Sequence, residues 1–123
     1  MSLASNLSYV DQLSETVVFD ETTRDATGTV RIDTGRSLSA PRTLTIRHTM
    51  ASAKASPQVD RHLVSIQQTD TGADGKPRTA TVNLSFVVPR DMPGDVTAIL
   101  RNIEGLIHSI YYDNTAALLR GES

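Results

Sequence analysis

The stretch from Asp95 to Ile110 constrains the fold most, because its aliphatic residues recur at the spacing of one helix face. Asp91 and Asp95 flank its start, where a carboxylate accepts backbone N–H groups that lack a partner within the helix. Pro93 suits the first turn, because no amide donor is needed there. The stripe must pack against a comparable apolar surface. Its members are Val96, Ile99, Leu100, Ile103, Leu106, Ile107 and Ile110.

The composition excludes several classes of protein. At 123 residues the chain is expected to be one domain whose core is built from Val, Ile and Leu, since five residues are aromatic and none is Trp. The absence of Cys excludes disulfides and thiolate chemistry. No apolar run approaches the roughly 18 residues of a membrane span, and the first residues lack the pattern of a signal peptide. These features favour a soluble intracellular protein with no membrane partner.

The net charge of −2 hides a segregation of charge along the chain. Residues 1–40 carry six acidic and three basic residues, and residues 91–123 carry five acidic and two basic ones. Residues 41–90 reverse the balance, with seven basic and three acidic residues. The middle of the chain therefore offers a local positive field, which matters more for a polyanionic partner than the sum does.

Turn residues and β-branched runs divide the chain into an α+β pattern. An irregular arm over residues 1–13 precedes a hairpin over 14–34, in which Glu21–Ala26 joins the two strands. The sheet continues over 35–89 as an antiparallel meander with strands over 42–51, 59–69 and 78–88. A small edge strand between residues 34 and 41 stays open. The region 91–120 holds the long helix and a short helix that ends before Gly121.

Strand alternation sorts the side chains of the meander onto two faces. Even positions are mostly apolar: Leu44, Ile46, His48, Met50, His62, Val64, Ile66, Ala80, Val82, Leu84, Phe86 and Val88. Odd positions of the same three strands are polar, include two arginines and contain no acid. Thr and Ser favour strands, so a solvated face is one interpretation. The other is a nucleic-acid surface, because hydroxyls, amides and guanidiniums bind phosphates and base edges without repelling the backbone.

Three segments carry a resemblance to a known family. They are Thr43-Leu44-Thr45-Ile46-Arg47-His48-Thr49, the Arg61-His62 pair that opens the next strand, and Asn83-Leu84-Ser85-Phe86-Val87-Val88-Pro89 leading into the helix. With the order of hairpin, meander, long helix and short helix, the chain resembles the coat proteins of single-stranded RNA bacteriophages, the leviviruses, over most of residues 15–120.

The resemblance implies a structural capsid protein, not an enzyme. Two subunits would pair into an intertwined dimer with one continuous sheet, and the helices of each would lie across the sheet of its partner. Dimers would assemble into an icosahedral shell in the cytoplasm of the bacterial host and remain in the virion. The partners implied are further copies of the chain and the single-stranded RNA genome, including a hairpin whose binding represses replicase translation. No cofactor or metal is implied.

The resemblance also assigns residues to these roles. The RNA face would comprise Thr43, Thr45, Arg47, Thr49, Arg61, Ser65, Gln67, Thr81 and Asn83, and a loop between dimers would contain Asp70, Gly72, Asp74 and Gly75. The chain departs from the family at Thr81, where some relatives place an aromatic residue that stacks on a base. The sheet face also lacks Lys, so its charge depends on Arg47 and Arg61, with Lys54 and Lys76 in loops.

Other patterns have ordinary explanations. His48 and His62 fall on the apolar face, where core histidines bonded to a neighbour or to the dimer partner are favoured over a metal or catalytic pair, since no third ligand has suitable spacing. The segment 70–75 lacks the closing Glu of a calcium loop and is interpreted as a hairpin turn. Tyr111 and Tyr112 are either anchors of an interface or the end of the core, and the interface is favoured. No catalytic constellation can be assembled. The rival hypothesis is a small dimeric α+β ligand-binding or enzyme domain.

Overall fold

A computed structural model of the chain describes residues 3, 5–11, 14–111 and 115–121. Six strands occur in these residues: β1 (Asn6–Val10), β2 (Thr16–Asp25), β3 (Gly28–Asp33), β4 (Arg42–Thr49), β5 (Val59–Thr71) and β6 (Pro77–Pro89). Two helices follow: α1 (Val96–Ser109) and α2 (Thr115–Leu119). The chain forms two compact units, Met1–Asp91 with the sheet and Met92–Ser123 with the helices.

The strands form one antiparallel sheet in chain order, β1-β2-β3-β4-β5-β6. Each strand pairs with its sequence neighbours because the connections are too short for a crossover. The predicted α+β class, the antiparallel meander and the order of a long helix before a short one are therefore confirmed. The two longest strands, β5 and β6, pair along their whole length from Val59–Pro89 to Thr71–Pro77.

The N-terminal third differs from its prediction in two ways. The arm predicted over residues 1–13 contains β1, whose five residues pair with β2. The predicted connection Glu21–Ala26 is mostly strand, because β2 continues to Asp25 through a bulge between Glu21 and Thr23. A bulge inserts an extra residue and breaks the alternation from which the strand could be recognised. Residues 34–41 form turns, and β3 pairs directly with β4, so no edge strand intervenes.

The hydrophobic core of the first unit lies on the even-numbered face of β4 and β5. Val17, Phe19, Leu44 and Ile46 are buried, and three partly buried residues pack against them: Leu7, Val64 and Ile66. These side chains share one face because the register pairs Leu44 with Ile66 and Ile46 with Val64. The predicted apolar face of the meander is thereby confirmed.

Gly28 brings the β2–β3 turn close to β4. A Cβ atom built on Gly28 would lie 1.9 Å from the backbone oxygen of Ile46, a distance that no side chain tolerates. The turn itself is closed by Asp25, whose carboxylate accepts hydrogen bonds from the backbone N–H groups of Thr27 at 2.8 Å and Gly28 at 3.1 Å. The tight turn sets the register of β3 against β2, and the small residue lets β3 approach β4.

The second unit begins with the predicted helix. Asp95 is the N-cap of α1 and accepts a hydrogen bond from the backbone N–H of Thr97 at 2.9 Å, as the sequence predicted. The aliphatic stripe occupies one side of α1, yet no described residue of this helix is buried, and Ile99, Leu106 and Ile107 are each more than half exposed. α2 ends before Gly121, which has a positive φ of 83°. Tyr112 lies outside the described residues.

Among the described residues, no helix has the length and apolar character needed to cross a membrane.

Candidate nucleic-acid interface

The structure brings all nine predicted RNA-contacting residues onto one side of the sheet, which we call the polar face. Cross-strand pairs arrange most of them in rows. Thr43 lies opposite Gln67, which lies opposite Thr81. A second row runs Thr45, Ser65, Asn83, and a third pairs Thr49 with Arg61. Directly paired residues in an antiparallel sheet project from the same face. Arg47 lies opposite Leu63, in the row between those of Thr45 and Thr49.

Ser65 is a buried member of the polar face. Its side chain is buried, with 8 % of the residue exposed, and its hydroxyl donates a hydrogen bond to Oδ1 of Asn83 at 2.6 Å. Asn83 itself is exposed. Because its oxygen already accepts a bond, Asn83 has its amide N–H groups to offer an acceptor on a ligand. Ser65 was predicted to contact RNA, and in the structure its hydroxyl is bonded to Asn83.

The polar face is not free of acids once the whole sheet is considered. The odd-numbered positions of β4, β5 and β6 contain none, as predicted, but β2 adds two carboxylates at the side of the sheet. Asp20 pairs with Ile32, which pairs with Thr43, and Asp25 pairs with Gly28, which pairs with Arg47. Strand β2 was predicted to end before Asp25, so this carboxylate could not be placed on the face from the sequence.

Asp25 forms an ion pair with Arg47. Nη1 of Arg47 lies 2.8 Å from Oδ2 of Asp25 and donates a second hydrogen bond to the hydroxyl of Thr27 at 3.2 Å. The Thr27 hydroxyl, which donates to the other carboxylate oxygen of Asp25 at 2.7 Å, and the Arg47 guanidinium hold the pKa of Asp25 far below its usual range. Asp25 therefore stays ionised and neutralises one of the two arginines on which the sequence prediction relied.

Arg61 is the other cation of this face. Its residue is exposed, and no carboxylate of the described residues lies within ion-pair distance of its guanidinium. A solvated guanidinium with five donors suits bidentate contact with a phosphate. The two arginines thus differ in their electrostatic environment. The sequence did not indicate this difference, because both occupy odd-numbered strand positions.

A shallow depression of about 240 Å³ lies beside both arginines. Val87, which is 56 % exposed, and Leu63 give it an apolar part within an otherwise polar face. Neither residue was among the predicted contacts, although their odd numbers place them on this face. The full lining is Arg47, Thr49, Arg61, His62, Leu63, Ser85, Phe86 and Val87.

The β5–β6 connection is a tight hairpin loop, as the sequence predicted. The backbone N–H of Gly72 donates to the carbonyl of Lys76 at 2.9 Å, and Gly75 adopts a positive φ of 76°. The carboxylates of the loop are already occupied, because Asp70 pairs with Arg36 and Asp74 pairs with Arg78. The Gln68 amide and then the Arg36 guanidinium lower the pKa of Asp70, and the Arg78 guanidinium lowers the pKa of Asp74. These ion pairs stabilise the conformation of the loop; one of them comes from Arg36 in the connection between β3 and β4.

The two histidines of the apolar face contact each other. Nδ1 of His48 lies 2.8 Å from Nδ1 of His62, so one ring donates the hydrogen bond and the other accepts it. The interpretation as histidines bonded to a neighbour is confirmed. Within the residues that the structure describes, no group of three metal-ligating side chains forms around them.

The polar face and the fold together define a class: an α+β protein with an antiparallel meander, two C-terminal helices and a sheet face of hydroxyl, amide and guanidinium groups. No protein-family model and no curated protein matches the sequence. Solved structures do match the fold over nearly the whole chain, and all of those compared below are virus-like particles.

The virus-like particle of bacteriophage ESE020 matches with a TM-score of 0.72 at 18% sequence identity, covering 100% of this chain and 99% of the other. That of bacteriophage ESE058 gives a TM-score of 0.69 at 15% identity, with 99% and 98% of the two chains covered. That of Wenzhou levi-like virus 1 gives 0.68 at 16% identity, with 99% and 100% covered. The chain therefore has the fold of the protein chains that form these virus-like particles. The resemblance found in the sequence is confirmed for the fold.

Proposed function

We propose that this chain is the structural subunit of a capsid, which self-assembles into a shell and binds single-stranded RNA on the polar face. The observation that carries the proposal is the full-length match to virus-like particles, with at least 98% of both chains covered in three cases. The proposed role is structural, and the virion is the proposed location.

The chemistry of the polar face supports the RNA part of the proposal. It offers the guanidinium of Arg61, which forms no ion pair with the described residues, for phosphate and neutral donors at Asn83, Gln67 and Thr81 for base edges. Charge gives affinity that is independent of sequence, whereas neutral hydrogen-bonding groups distinguish bases. The exposed aliphatic surface at Val87 adds an apolar contact. A surface of this kind suits both packaging of a genome and recognition of one RNA hairpin, which would repress replicase translation.

A second copy of the chain is the proposed partner in a dimer. β6 is a 13-residue strand at the edge of the sheet, with β5 as its one neighbour among the described strands. An edge of that length exposes a row of backbone donors and acceptors, which a second β6 related by a two-fold axis would satisfy. Val82 on the apolar face is 73 % exposed. In the α1 stripe, Ile99, Leu106 and Ile107 are each more than half exposed. Dimerisation would bury both surfaces.

Electron microscopy of the purified protein, combined with size-exclusion chromatography and absorbance at nucleic-acid wavelengths, tests the proposal. We expect uniform closed particles that elute in the void volume and contain RNA. A species with the mass of a dimer and no nucleic acid would contradict the proposal and support the rival hypothesis of a small ligand-binding or enzyme domain.

The loop of Asp70, Gly72, Asp74 and Gly75 is proposed to make contacts between dimers. We expect that replacing residues 72–75 with a two-residue Asn-Gly turn changes particle size or lowers particle heat resistance while the dimer persists, because the strands remain paired by a tight turn. Asp74→Asn keeps the loop length and removes only the ion pair with Arg78, so it separates the effect of that pair from the effect of the loop. Dynamic light scattering during heating is the measurement. Particles of unchanged size and heat resistance would contradict the assignment.

A further inference from the structure

We propose that Asp25 limits non-specific RNA binding by competing with phosphate for the guanidinium of Arg47. The inference rests on the proposed RNA-binding function and concerns the regulation of that same face. RNA would gain Arg47 as a phosphate contact only by displacing a carboxylate that the chain itself supplies. Asp25 would thereby act as a specificity-determining residue, although it was not among the predicted contacts.

The geometry places the competitor where a phosphate would bind. Arg47 projects from the polar face between the rows of Thr45 and Thr49, and Oδ2 of Asp25 lies 2.8 Å from its Nη1. The side chains of Arg47 and Asp25 are 36 % and 50 % exposed. Exposed ion pairs contribute little net stability, so the pair can open when a better anion arrives. The guanidinium is therefore exchangeable between carboxylate and phosphate.

The carboxylate is held in place independently of Arg47. Its other oxygen, Oδ1, accepts hydrogen bonds from the backbone N–H groups of Thr27 and Gly28 and from the Thr27 hydroxyl. These bonds belong to the β2–β3 turn and persist if Arg47 turns away. The Thr27 hydroxyl lowers the pKa of Asp25 most, with further contributions from the Arg47 guanidinium and the Thr27 backbone N–H, so the residue carries a negative charge at neutral pH. RNA would meet a fixed anion beside Arg47.

The consequence is a difference between kinds of RNA. Non-specific binding depends on the number of phosphates neutralised, so masking one arginine per subunit weakens it directly. Contacts to bases by Asn83, Thr45 and Gln67 involve neutral groups and are not masked. A preferred RNA that uses them loses a smaller share of its binding free energy. Asp25 would thus raise the ratio between preferred and arbitrary RNA.

The test compares Asp25→Asn with Asp20→Asn. Both variants remove one negative charge from the polar face, but Asp20 accepts its hydrogen bond from the Asn6 amide at 3.0 Å and not from an arginine. The probe is a fluorescein-labelled oligouridylate titrated over a series of KCl concentrations. We expect Asp25→Asn to bind several-fold more tightly at low salt, with a log–log salt slope more negative by roughly 0.7 per subunit. Asp20→Asn should leave the slope unchanged.

Two further variants separate this mechanism from a general charge effect or a folding defect. In an Arg47→Gln background, Asp25→Asn should no longer change the slope, because the masked cation is absent. The side-chain oxygen of Asn at position 25 can still accept the hydrogen bonds of the β2–β3 turn. A folding defect at this turn would therefore not account for a change in slope. Equal slopes for Asp25→Asn and Asp20→Asn, or an effect that survives Arg47→Gln, would overturn the inference. Absence of salt-dependent binding by the wild-type protein would instead overturn the proposed function.

Discussion

Replacing Ile103 with Asp is expected to abolish the dimer and, with it, every particle. Ile103 lies in the middle of the α1 stripe and is half-buried in the single chain. The proposed dimer would bury the stripe, so each subunit would lose roughly 1.5–3 kcal/mol of apolar burial at this side chain. Two-fold symmetry doubles that loss, and an unpaired carboxylate in an apolar contact adds to it. The dimer dissociation constant should rise at least about a thousandfold.

Sedimentation velocity at micromolar concentration would measure this change, and circular dichroism would show whether the chain stays folded. Arg101→Asp is the matched control, because Arg101 lies on the same helix but on the side away from the stripe and is exposed. It introduces the same side chain with the same helix propensity and should leave the dimer intact. An Ile103→Asp protein that dimerises as tightly as the wild type would contradict the proposed packing of α1. So would a stable folded monomer of the wild-type chain.

Loss of RNA from the particles is the expected result of combining Arg47→Ala with Arg61→Ala. Each phosphate released by a subunit should flatten the log–log salt slope by roughly 0.7 for single-stranded RNA, and a dimer presents both arginines twice. The structure makes the two contributions unequal. Arg61→Ala should have the larger effect, because Arg61 is unpaired among the described side chains, whereas the charge of Arg47 is matched by Asp25.

The measurements are the RNA content of purified particles and the salt dependence of binding by dimers. Arg78→Ala is the matched control, since it removes an arginine from the opposite face of the sheet, where it pairs with Asp74. Asn83→Ala and Thr45→Ala should reduce the preference for one RNA hairpin with little change in slope, because neutral groups do not neutralise phosphate. If the double arginine variant keeps its full RNA content and slope, the RNA-binding surface lies elsewhere.

The parts of the fold that the sequence predicted are those set by short-range rules. α1 was predicted with its cap because Asp95 needs only the N–H of Thr97, two residues away. The two faces of β4, β5 and β6 followed from alternation, which every residue of a strand obeys by itself. The nine residues of the polar face could therefore be predicted to share one side of the sheet before their neighbours across the strands were known.

Weak or interrupted patterns were missed. β1 has five residues with no strong alternation, and its pairing with β2 could not be inferred from propensity. The bulge between Glu21 and Thr23 extended β2 to Asp25 through a segment whose composition favoured a turn. The burial of individual residues could not be predicted either. Ser65 resembles the neighbouring odd positions in the sequence, yet in the structure it is buried and donates a hydrogen bond to Asn83.

The sequence by itself determined which side chains share a strand face and where the long helix begins, because both depend on backbone geometry that repeats every two or 3.6 residues. The tertiary structure alone decided which charges meet. Asp25 and Arg47 are 22 residues apart, and they come together because a bulge in β2, a two-residue turn and the close approach of Gly28 to Ile46 set the register of three strands at once. Register is a property of pairs of strands, so the electrostatic character of the polar face could be determined only from the folded sheet.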